Sequence, residues 1–458
     1  MNITRAVENL FKRFLPSPFT IAILLTLVTI ILALTFTESK DEGSHLLNIL
    51  SYWEKGIWNT GLLEFAYQMM LILVLGHILV LSKPMSNLIM GLTRYAKNST
   101  SAVILVSVTT MLVAFFNWGL GLIFGAILAR KVGEHAQKNN IALNYPLVGA
   151  AGYVGLMIWH GGISGSAPIK VAESNHIIDM MSSISDASVL SQLPESVNFN
   201  TTVFSWWNLL LFVILLILIP FVLTRLAKAS KPTSLHLETY QFQSSKDEPI
   251  EGAEKMDHSK LLAIGFGALI LIVFGYQYSD NLLRLQITPN MLNFFMLGLA
   301  IMLHGSFSSF LNAVEEAIKG TSGILIQFPL YFGIMGIMKD TGMVVMISDF
   351  FASIATATTL PIFTFFSAGL VNIFVPSGGG QWAIQGPIVA ESAMQLGVPL
   401  PKAIMALAYG DQITNMLQPF WALPLLGITK LKAKEILPYT IILMLVGISV
   451  YILGLLLL

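Results

Sequence analysis

Long apolar segments separated by short polar connections make up most of the chain. A helix needs about 20 mostly apolar residues to cross the hydrocarbon core of a membrane. The pattern therefore predicts uninterrupted spanning helices at seven segments: 18–37, 61–82, 203–224, 259–278, 289–306, 322–338 and 436–457. Two further long segments, 145–169 and 403–429, are interrupted by Gly, Pro and amide residues, and we interpret them as broken spans. Together these segments predict nine crossings.

Two other segments, 101–131 and 361–391, are expected to enter the membrane and return to the same side. Their apolar parts carry no charged residue, but each is interrupted near its middle, at Asn117 and at residues 372–380. The pieces on either side are expected to be about 12–16 residues long, which is short for a crossing. Broken backbone at membrane depth is tolerated only where protein or a water-filled cavity satisfies its polar groups. We therefore predict two re-entrant helical hairpins.

The composition supports a membrane protein. Of 458 residues, 55% are hydrophobic and 11% are charged, whereas soluble domains are roughly 25% charged. This much apolar surface cannot be buried inside one water-soluble globule, so the predicted fold class is an all-α polytopic membrane protein. The 25 basic residues balance the 25 acidic ones, which argues against a nucleic-acid partner. The chain has no cysteine, which excludes disulfides, thiolate metal sites and cysteine nucleophiles.

Basic residues cluster in connections that would all face one side of the membrane if both hairpins return to their own side. These clusters are Arg5, Lys12 and Arg13; Lys83, Arg94 and Lys97; Arg130, Lys131 and Lys138; Arg225, Lys228 and Lys231; and Lys430, Lys432 and Lys434. Cytoplasmic loops carry an excess of Lys and Arg. The expected orientation therefore has a cytoplasmic N-terminus and an external C-terminus.

The two halves of the chain carry the same features in the same order. Residues 1–228 and 281–458 each contain two spans, a hairpin, a broken span and a last span. Segment 229–258 is predicted to be a cytoplasmic linker, or alternatively a small regulatory element, and 259–280 a connecting span. Because this span adds one crossing, the two repeats would have opposite orientations. Two inverted repeats are the plan of many secondary transporters.

The interruptions are the candidate binding sites. Half-helix N-termini attract anions, while unwound carbonyls and half-helix C-termini coordinate cations. The substrate-binding candidates at these interruptions are Asn117, Ser164, Ser166, Asn372, Ser377, Gly378, Gly379, Gln381, Asn415 and Gln418. The alternative is that these small residues only allow helices to pack closely. A bound Na⁺ at the hairpin tips is the one cofactor considered, with Asn117, Gly119, Asn372 and Gly380 as its candidate ligands.

Asp411 is the only acidic residue in the apolar parts of the hairpins and in the broken spans. A carboxylate inside the membrane is a functional candidate by default, and we assign it to cation coupling together with Asn117, Asn372 and His160. It could instead cap a half-helix, or pair with Lys402 or Lys170. His160 and His77 could relay protons, or each could simply bond to a neighbouring group.

The same segments contain no Lys or Arg that could neutralise an anion. The charge of an anionic substrate would therefore be met by helix dipoles, amide and hydroxyl donors, or a co-bound cation. Our hypothesis is a small carboxylate accompanied by Na⁺ or H⁺. The glycine-rich runs lack the spacing of a Rossmann motif, a P-loop or a hydrolase elbow, so we do not expect an enzyme. A channel, which would show no saturation coupled to a gradient, is the alternative from another class.

Several runs resemble the bacterial short-chain fatty acid transporter family. They are Phe116-Asn-Trp-Gly-Leu-Gly-Leu, Gly162-Ile-Ser-Gly-Ser-Ala-Pro, Gly323-Ile-Leu-Ile-Gln-Phe-Pro, Val375-Pro-Ser-Gly-Gly-Gly-Gln-Trp-Ala-Ile-Gln-Gly-Pro and Gln418-Pro-Phe-Trp-Ala-Leu-Pro. The resemblance runs from about residue 10 to the end of the chain. The chain departs from the family's pattern at Asp411, where Glu is expected, and at His160, where Gly is expected.

This resemblance implies uptake of acetoacetate, butyrate and similar acids across the bacterial inner membrane. It also implies membership of the ion transporter superfamily, whose better-known members are dimeric elevator-type carriers, so a homodimer is expected. By resemblance, the central site would hold Asn117, Ser164, Ser166, Ser377, Gly378 and Gln418. The alternatives are a dicarboxylate or other organic-anion symporter, or a Na⁺/H⁺ antiporter of the same superfamily.

Overall fold

The structure, a computed structural model, describes residues 16–39, 42–181, 190, 193–233, 237, 251–283, 288–319 and 321–458. In the first half its helices are α1 (Pro18–Phe36), α2 (His45–Ile57), α3 (Thr60–Leu81), α4 (Lys83–Thr93), α5 (Ser99–Phe116), α6 (Trp118–Lys138), α7 (Tyr145–Ala151), α8 (Ser166–Ala172), α9 (His176–Met181) and α10 (Trp206–Ala229). In the second half they are α11 (Glu254–Asp257), α12 (Lys260–Gln277), α13 (Ser279–Leu283), α14 (Pro289–His304), α15 (Phe307–Ile318), α16 (Ser322–Asp340), α17 (Met343–Ser353), α18 (Leu360–Phe374), α19 (Gly378–Leu396), α20 (Leu400–Thr414), α21 (Pro419–Thr429) and α22 (Ala433–Leu457). The basic cluster at residues 5–13 and most of the predicted linker 229–258 lie outside these ranges.

Among the described residues, seven helices are long and apolar enough to cross a membrane: α1, α3, α5, α10, α12, α16 and α22. The predicted class, an all-α polytopic membrane protein, is confirmed. Six of these helices lie on segments predicted as spans. The seventh, α5, is the first arm of the predicted hairpin 101–131, and the expected span 289–306 is the shorter α14, with 16 residues.

Both predicted hairpins break where the sequence places the interruption, but three of their four arms are longer than expected. The arms α5, α6 and α19 have 18, 21 and 19 residues, whereas α18 has 15, within the expected 12–16. The expected length was wrong for the other three because helical structure continues into polar flanks. For example, α5 begins at Ser99, two residues before the apolar run, because Asn98 and Ser101 form a capping box there.

The two arms of the first hairpin pack antiparallel in close contact. A Cβ added at Gly121 would lie 2.4 Å from the Ala114 Cβ, and one added at Gly125 would lie 2.8 Å from the Thr110 side chain. In the second hairpin, Gln381 Nε2 donates to the Ala368 carbonyl at 2.8 Å, so α19 likewise lies beside α18. Each chain segment therefore turns back on itself at its break.

The two broken spans are interrupted to different extents. In the first, α7 ends at Ala151, two 3₁₀ turns follow, and α8 begins only at Ser166. In the second, one 3₁₀ turn over Asn415–Leu417 separates α20 from α21. Gln418 precedes a proline and is extended, with φ −85° and ψ 119°, because the proline ring disfavours helical backbone at the preceding residue. The first interruption is longer than the sequence indicates.

Besides short helices of four to six residues, two longer helices were not predicted. α4 and α17 are each 11 residues long and directly follow the long helices α3 and α16. Between α16 and α17, Gly342 adopts a left-handed conformation with φ +84°, which glycine permits and other residues rarely adopt. Apolar segments this short resemble loops when only spans of about 20 residues are sought.

Glycines set several close helix contacts. A Cβ added at Gly410 of α20 would lie 2.1 Å from the Phe365 carbonyl oxygen of α18. This contact holds the first arm of the second hairpin directly against the second broken span. By contrast, a Cβ added at Gly265 of α12 would meet no atom within 4 Å.

We expect Gly410→Ala to destabilise the protein by about 1–3 kcal/mol, because the added methyl group must push α18 and α20 apart. The control is Gly265→Ala, which adds the same methyl group where there is space and should be neutral or slightly stabilising. Thermal unfolding in detergent, followed by tryptophan fluorescence, measures both variants. Equal unfolding temperatures would contradict the tight packing of α18 on α20.

Candidate functional site

The unwound part of the first broken span closes the tip of the first hairpin. Ile163 N donates to the Phe115 carbonyl at 2.8 Å, and Trp118 N donates to Ser164 Oγ at 2.9 Å. These groups belong to the end of α5 and the start of α6, which a helix leaves unpaired. Asn117 Oδ1 accepts from Leu120 N at 2.9 Å and so caps α6. Both predicted residues, Asn117 and Ser164, therefore stabilise the break.

The second hairpin and the second broken span are joined in a similar way. Asn372 Nδ2 donates to the Asp411 carbonyl at 2.7 Å and to Asn415 Oδ1 at 2.9 Å. Gln418 Nε2 donates to the Asn372 carbonyl. Ser377 Oγ accepts from Gly380 N at 3.2 Å and caps α19. Four of the predicted site residues thus hold this tip in place.

The two broken spans also bind each other. Tyr153 donates its hydroxyl to the carbonyls of Asn415 and Gln418, at 3.0 and 3.2 Å. In the opposite direction, Asn415 Nδ2 donates to the Leu156 carbonyl at 3.3 Å. The unwound segments of the two halves are therefore in direct contact.

Gln412 joins three groups through its side-chain amide. Its Oε1 accepts from the amides of His160 and Gly161, at 2.7 and 3.1 Å, and its Nε2 donates to the Tyr451 hydroxyl at 2.8 Å. Gln412 was not among the predicted site residues, although it is adjacent to Asp411 in a segment predicted to be interrupted. The polar side chain itself, fully buried in a span, was the available signal.

His160 and Asp411 form a buried pair at the centre of these contacts. Their side chains are 0% and 1% exposed, and His160 Nδ1 lies 2.5 Å from Asp411 Oδ2. His160 Nε2 accepts from Ala167 N at 3.0 Å, so the ring proton is on Nδ1 and is donated to the carboxylate. Two residues that the sequence analysis assigns to cation coupling, one from each half of the chain, therefore contact each other.

This pair excludes the other interpretations of Asp411. Asp411 lies inside α20 and caps no helix, and its carboxylate is buried against His160 rather than near a surface lysine. Lys170 instead pairs with Glu173 at 2.9 Å. The alternative pairing with Lys170 or Lys402 was wrong because the fold turns Asp411 toward the interrupted part of the first broken span.

The tip of the second hairpin reaches the same place. A Cβ added at Gly378 would lie 2.8 Å from both His160 Cε1 and Trp159 Cη2, and one added at Gly379 would lie 3.9 Å from Ser166 Oγ. Only glycine fits such a close approach at Gly378. The four interruptions therefore form one connected site.

Three predicted residues have their nearest contacts elsewhere. A Cβ at Gly119 would face Ile72 and Leu292, and one at Gly380 would face Met335 as well as the Ser377 cap. Gln381 bonds within the second hairpin, to Ala368 and Gln385. A side chain at Gly119 or Gly380 would therefore point away from the His160–Asp411 pair.

The comparison with known proteins identifies the family. The model of the short chain fatty acid transporter family matches residues 1–458. The chain belongs to this family. Two curated relatives, from Escherichia coli (strain K12) and Haemophilus influenzae (strain ATCC 51907 / DSM 11121 / KW20 / Rd), are each 34% identical over 459 residues, covering 99% of this chain and 98% of the relative. Both are named "putative short-chain fatty acid transporter".

Membership of the short chain fatty acid transporter family makes the protein a membrane transporter and not an enzyme.

Two solved structures are also similar. The YdaH transporter of Alcanivorax borkumensis is 15% identical, with coverage of 96% of this chain and 97% of that chain and a TM-score of 0.46. MtrF of Neisseria gonorrhoeae, described as illuminating a class of antimetabolite efflux pumps, is 14% identical, with coverage of 99% and 97% and a TM-score of 0.38.

In this transporter, three buried oxygens of the connected site are without donors. Within the described part of the chain, Asp411 Oδ1, Asn372 Oδ1 and Gln418 Oε1 accept no hydrogen bond. All three are hard oxygen atoms, the type of ligand that hard cations prefer, and one belongs to a carboxylate. Among the described residues, no three His, Asp or Glu side chains come together.

An aromatic cluster adjoins the polar site. The Trp118 ring centroid lies 5.7 Å from that of Trp159 and 5.2 Å from that of Trp421, and Phe65 packs on both Trp118 and Trp421. Trp159 also stacks on the His160 ring at 4.5 Å. These tryptophans were not predicted as site residues, because an aromatic residue in a span usually contributes only to packing. The site thus places an apolar wall beside buried polar groups.

We expect Gln412→Leu to destabilise the transporter, since the buried amides of His160 and Gly161 would lose their acceptor. An unsatisfied buried polar group costs about 1–3 kcal/mol. The matched control is Gln395→Leu, at an exposed glutamine that bonds to Glu391 on its own helix. Thermal unfolding in detergent compares the two, and a loss confined to Gln412→Leu is the expected result. Equal loss in both variants would contradict the bridging role of Gln412.

Proposed function

We propose that the protein is a secondary active transporter that takes up short-chain monocarboxylates, such as acetoacetate and butyrate, together with a cation. The single observation that carries this proposal is the meeting of four helix interruptions around the buried His160–Asp411 pair. Family membership supports the substrate class. The curated relatives carry the same class in their names.

The substrate carboxylate would bind at the tip of the second hairpin. Gly378 and Gly379 begin the 19-residue helix α19, whose first amides have no partner within the helix and lie at its positive dipole end. Ser166 adds a hydroxyl donor beside Gly379. The short alkyl chain would pack against Trp159 and the neighbouring tryptophans. This arrangement provides for an anion without using Lys or Arg.

Asp411 would couple transport to the cation. An anionic substrate that approaches His160 also approaches the Asp411 carboxylate, and two like charges in a site of low polarity repel strongly. A Na⁺ or proton taken up at Asp411 Oδ1, with Asn372 and Gln418 as further oxygens, would remove that repulsion. The cation and the substrate would therefore bind together.

The contacts of the two hairpins and the two broken spans support two inverted repeats, and the proposed movement of these elements is that of an elevator. Asn117 and Ser377 cap the second arms of the two hairpins, so they are equivalent in role. Each broken span also carries a tyrosine that helps to join it to the other broken span. Tyr153 donates to the Asn415 carbonyl directly. Tyr409 donates to Asn208 of α10, which in turn donates to the Gly161 carbonyl. The moving part would hold the hairpins and broken spans, and α1–α3, α12 and α14–α16 would form the scaffold. We place the carrier in the bacterial inner membrane as a homodimer with a cytoplasmic N-terminus.

Uptake of labelled butyrate and acetoacetate into proteoliposomes tests the function, with sodium and proton gradients imposed separately. We expect saturable uptake that one of the two gradients accelerates. Uptake of dicarboxylates alone would favour the organic-anion symporter, and cation exchange without acid uptake would favour the antiporter. Flux indifferent to both gradients would refute the coupling.

We expect Asp411→Asn to reduce gradient-driven uptake at least about tenfold, equivalent to about 1.4 kcal/mol, because the neutral amide cannot take up a cation charge. Asp257→Asn, at an exposed aspartate of α11, removes the same charge outside the site and should leave uptake unchanged. Protein yield and thermal unfolding show whether each variant folds. Full gradient dependence in Asp411→Asn would remove Asp411 from the coupling mechanism.

A further inference from the structure

A cavity of about 270 Å³ opens beside the tip of the second hairpin. The scaffold helices and the hairpin each contribute to its wall. The lining residues are Lys55, Gly56, Asn59, Leu62, Met335, Gly336, Lys339, Asp340, Val375, Gly380, Ala383 and Ile384. Its volume is slightly below the 300–1,000 Å³ of typical ligand pockets, a size suited to a small molecule.

Three glycines bring α2 and α16, which form the scaffold wall of this cavity, into close contact. Two of the contacts join backbone to backbone: a Cβ added at Gly56 would lie 2.4 Å from the Phe332 carbonyl, and one at Gly336 would lie 2.4 Å from the Tyr52 carbonyl. A Cβ at Gly333 would lie 2.5 Å from the Trp53 ring. Lys55 at the end of α2 and Lys339 at the end of α16 therefore project from one closely packed pair of helices.

The charge of the cavity is predominantly positive. Lys55 and Lys339 are both exposed, and the Lys55 ammonium also lies 5.9 Å from the Tyr52 ring centroid. Asp340 is the single carboxylate among the residues that line the cavity. The opposite wall is the start of α19, whose dipole adds positive character. Two lysines against one aspartate leave the lining with a net positive charge, and a cleft of net positive charge attracts anions.

We propose that this cavity is the access vestibule for the anionic substrate, and that Lys55 and Lys339 draw its carboxylate toward the tip of the second hairpin. The identity of the anion rests on the proposed function. Because the lysines belong to the scaffold and not to the hairpin, they act on the approach of the substrate and not on its final site. The cations that the hairpins and broken spans lack are thereby supplied from the neighbouring helices.

The absence of cysteine in the chain allows a direct measurement of the potential in the cavity. Ala383→Cys places a thiol on an exposed lining residue. In detergent, its modification rates by anionic methanethiosulfonate ethylsulfonate and by cationic methanethiosulfonate ethyltrimethylammonium are compared. Neutralisation of both lysines, as Lys55→Gln and Lys339→Gln, should lower the anionic-to-cationic rate ratio by roughly three- to tenfold, and Lys→Arg variants should preserve it.

Two controls make this measurement specific. Ala357→Cys lies in an exposed connection between α17 and α18, and its ratio should not respond to the two lysine variants. Lys138→Gln removes one charge at the far end of α6 and should leave the ratio at Ala383→Cys unchanged. An unchanged ratio at Ala383→Cys in the double lysine variant would overturn the vestibule, whatever the protein transports.

Transport kinetics provide the second readout. In proteoliposomes, the double lysine variant should raise the KM for labelled butyrate roughly three- to tenfold with the maximal rate retained, and the KM should lose its dependence on ionic strength. Equal KM and equal salt dependence in wild type and variant would also overturn the proposal. If wild type takes up no short-chain acid, the proposed function fails, while the thiol measurement still decides on the cavity.

Discussion

Every break in a membrane-embedded helix exposes amides and carbonyls that lipid cannot satisfy, and the architecture of this transporter depends on pairing them. The first hairpin receives its partners from Ile163 and Ser164, and the second hairpin bonds to Asp411, Asn415 and Gln418. Neither a hairpin nor a broken span would be stable alone. The four interruptions must therefore lie together, and this requirement creates a polar site inside an otherwise apolar protein.

The same constraint explains how the site can receive an anion without a resident Lys or Arg. Backbone amides at the start of α19 are already held in place by the Ser377 cap and by the close approach of Gly378 to His160. Donors fixed in this way need no reorganisation when a charge arrives. Full cations lie on α2 and α16 instead, where Lys55 and Lys339 are exposed, so the hairpins and broken spans need no buried lysine, whose desolvation would be costly.

The sequence was sufficient for the fold class and for the positions of the breaks, because span length, Gly, Pro and amide residues are local signals. It was not sufficient to predict which distant residues contact each other. His160 and Asp411 are 251 residues apart, and no local pattern indicates that they meet. The proposed vestibule could not be predicted either. Lys55 and Lys339 lie in separate parts of the sequence, and they line one cavity only because glycine contacts bring α2 and α16 together. Three of the four hairpin arms were too short in the prediction, since polar residues outside the apolar run extend the helices, as the capping box at the start of α5 does.

The His160–Asp411 bond has a consequence for any attempt to engineer this chain. One partner comes from each half of the chain, and both are fully enclosed. Replacement of the acid alone would leave a buried imidazole N–H unpaired, and replacement of the imidazole alone would leave a buried carboxylate unpaired. A redesign at one position therefore needs a matching change at the other, and neither half could be transplanted into another carrier without its counterpart.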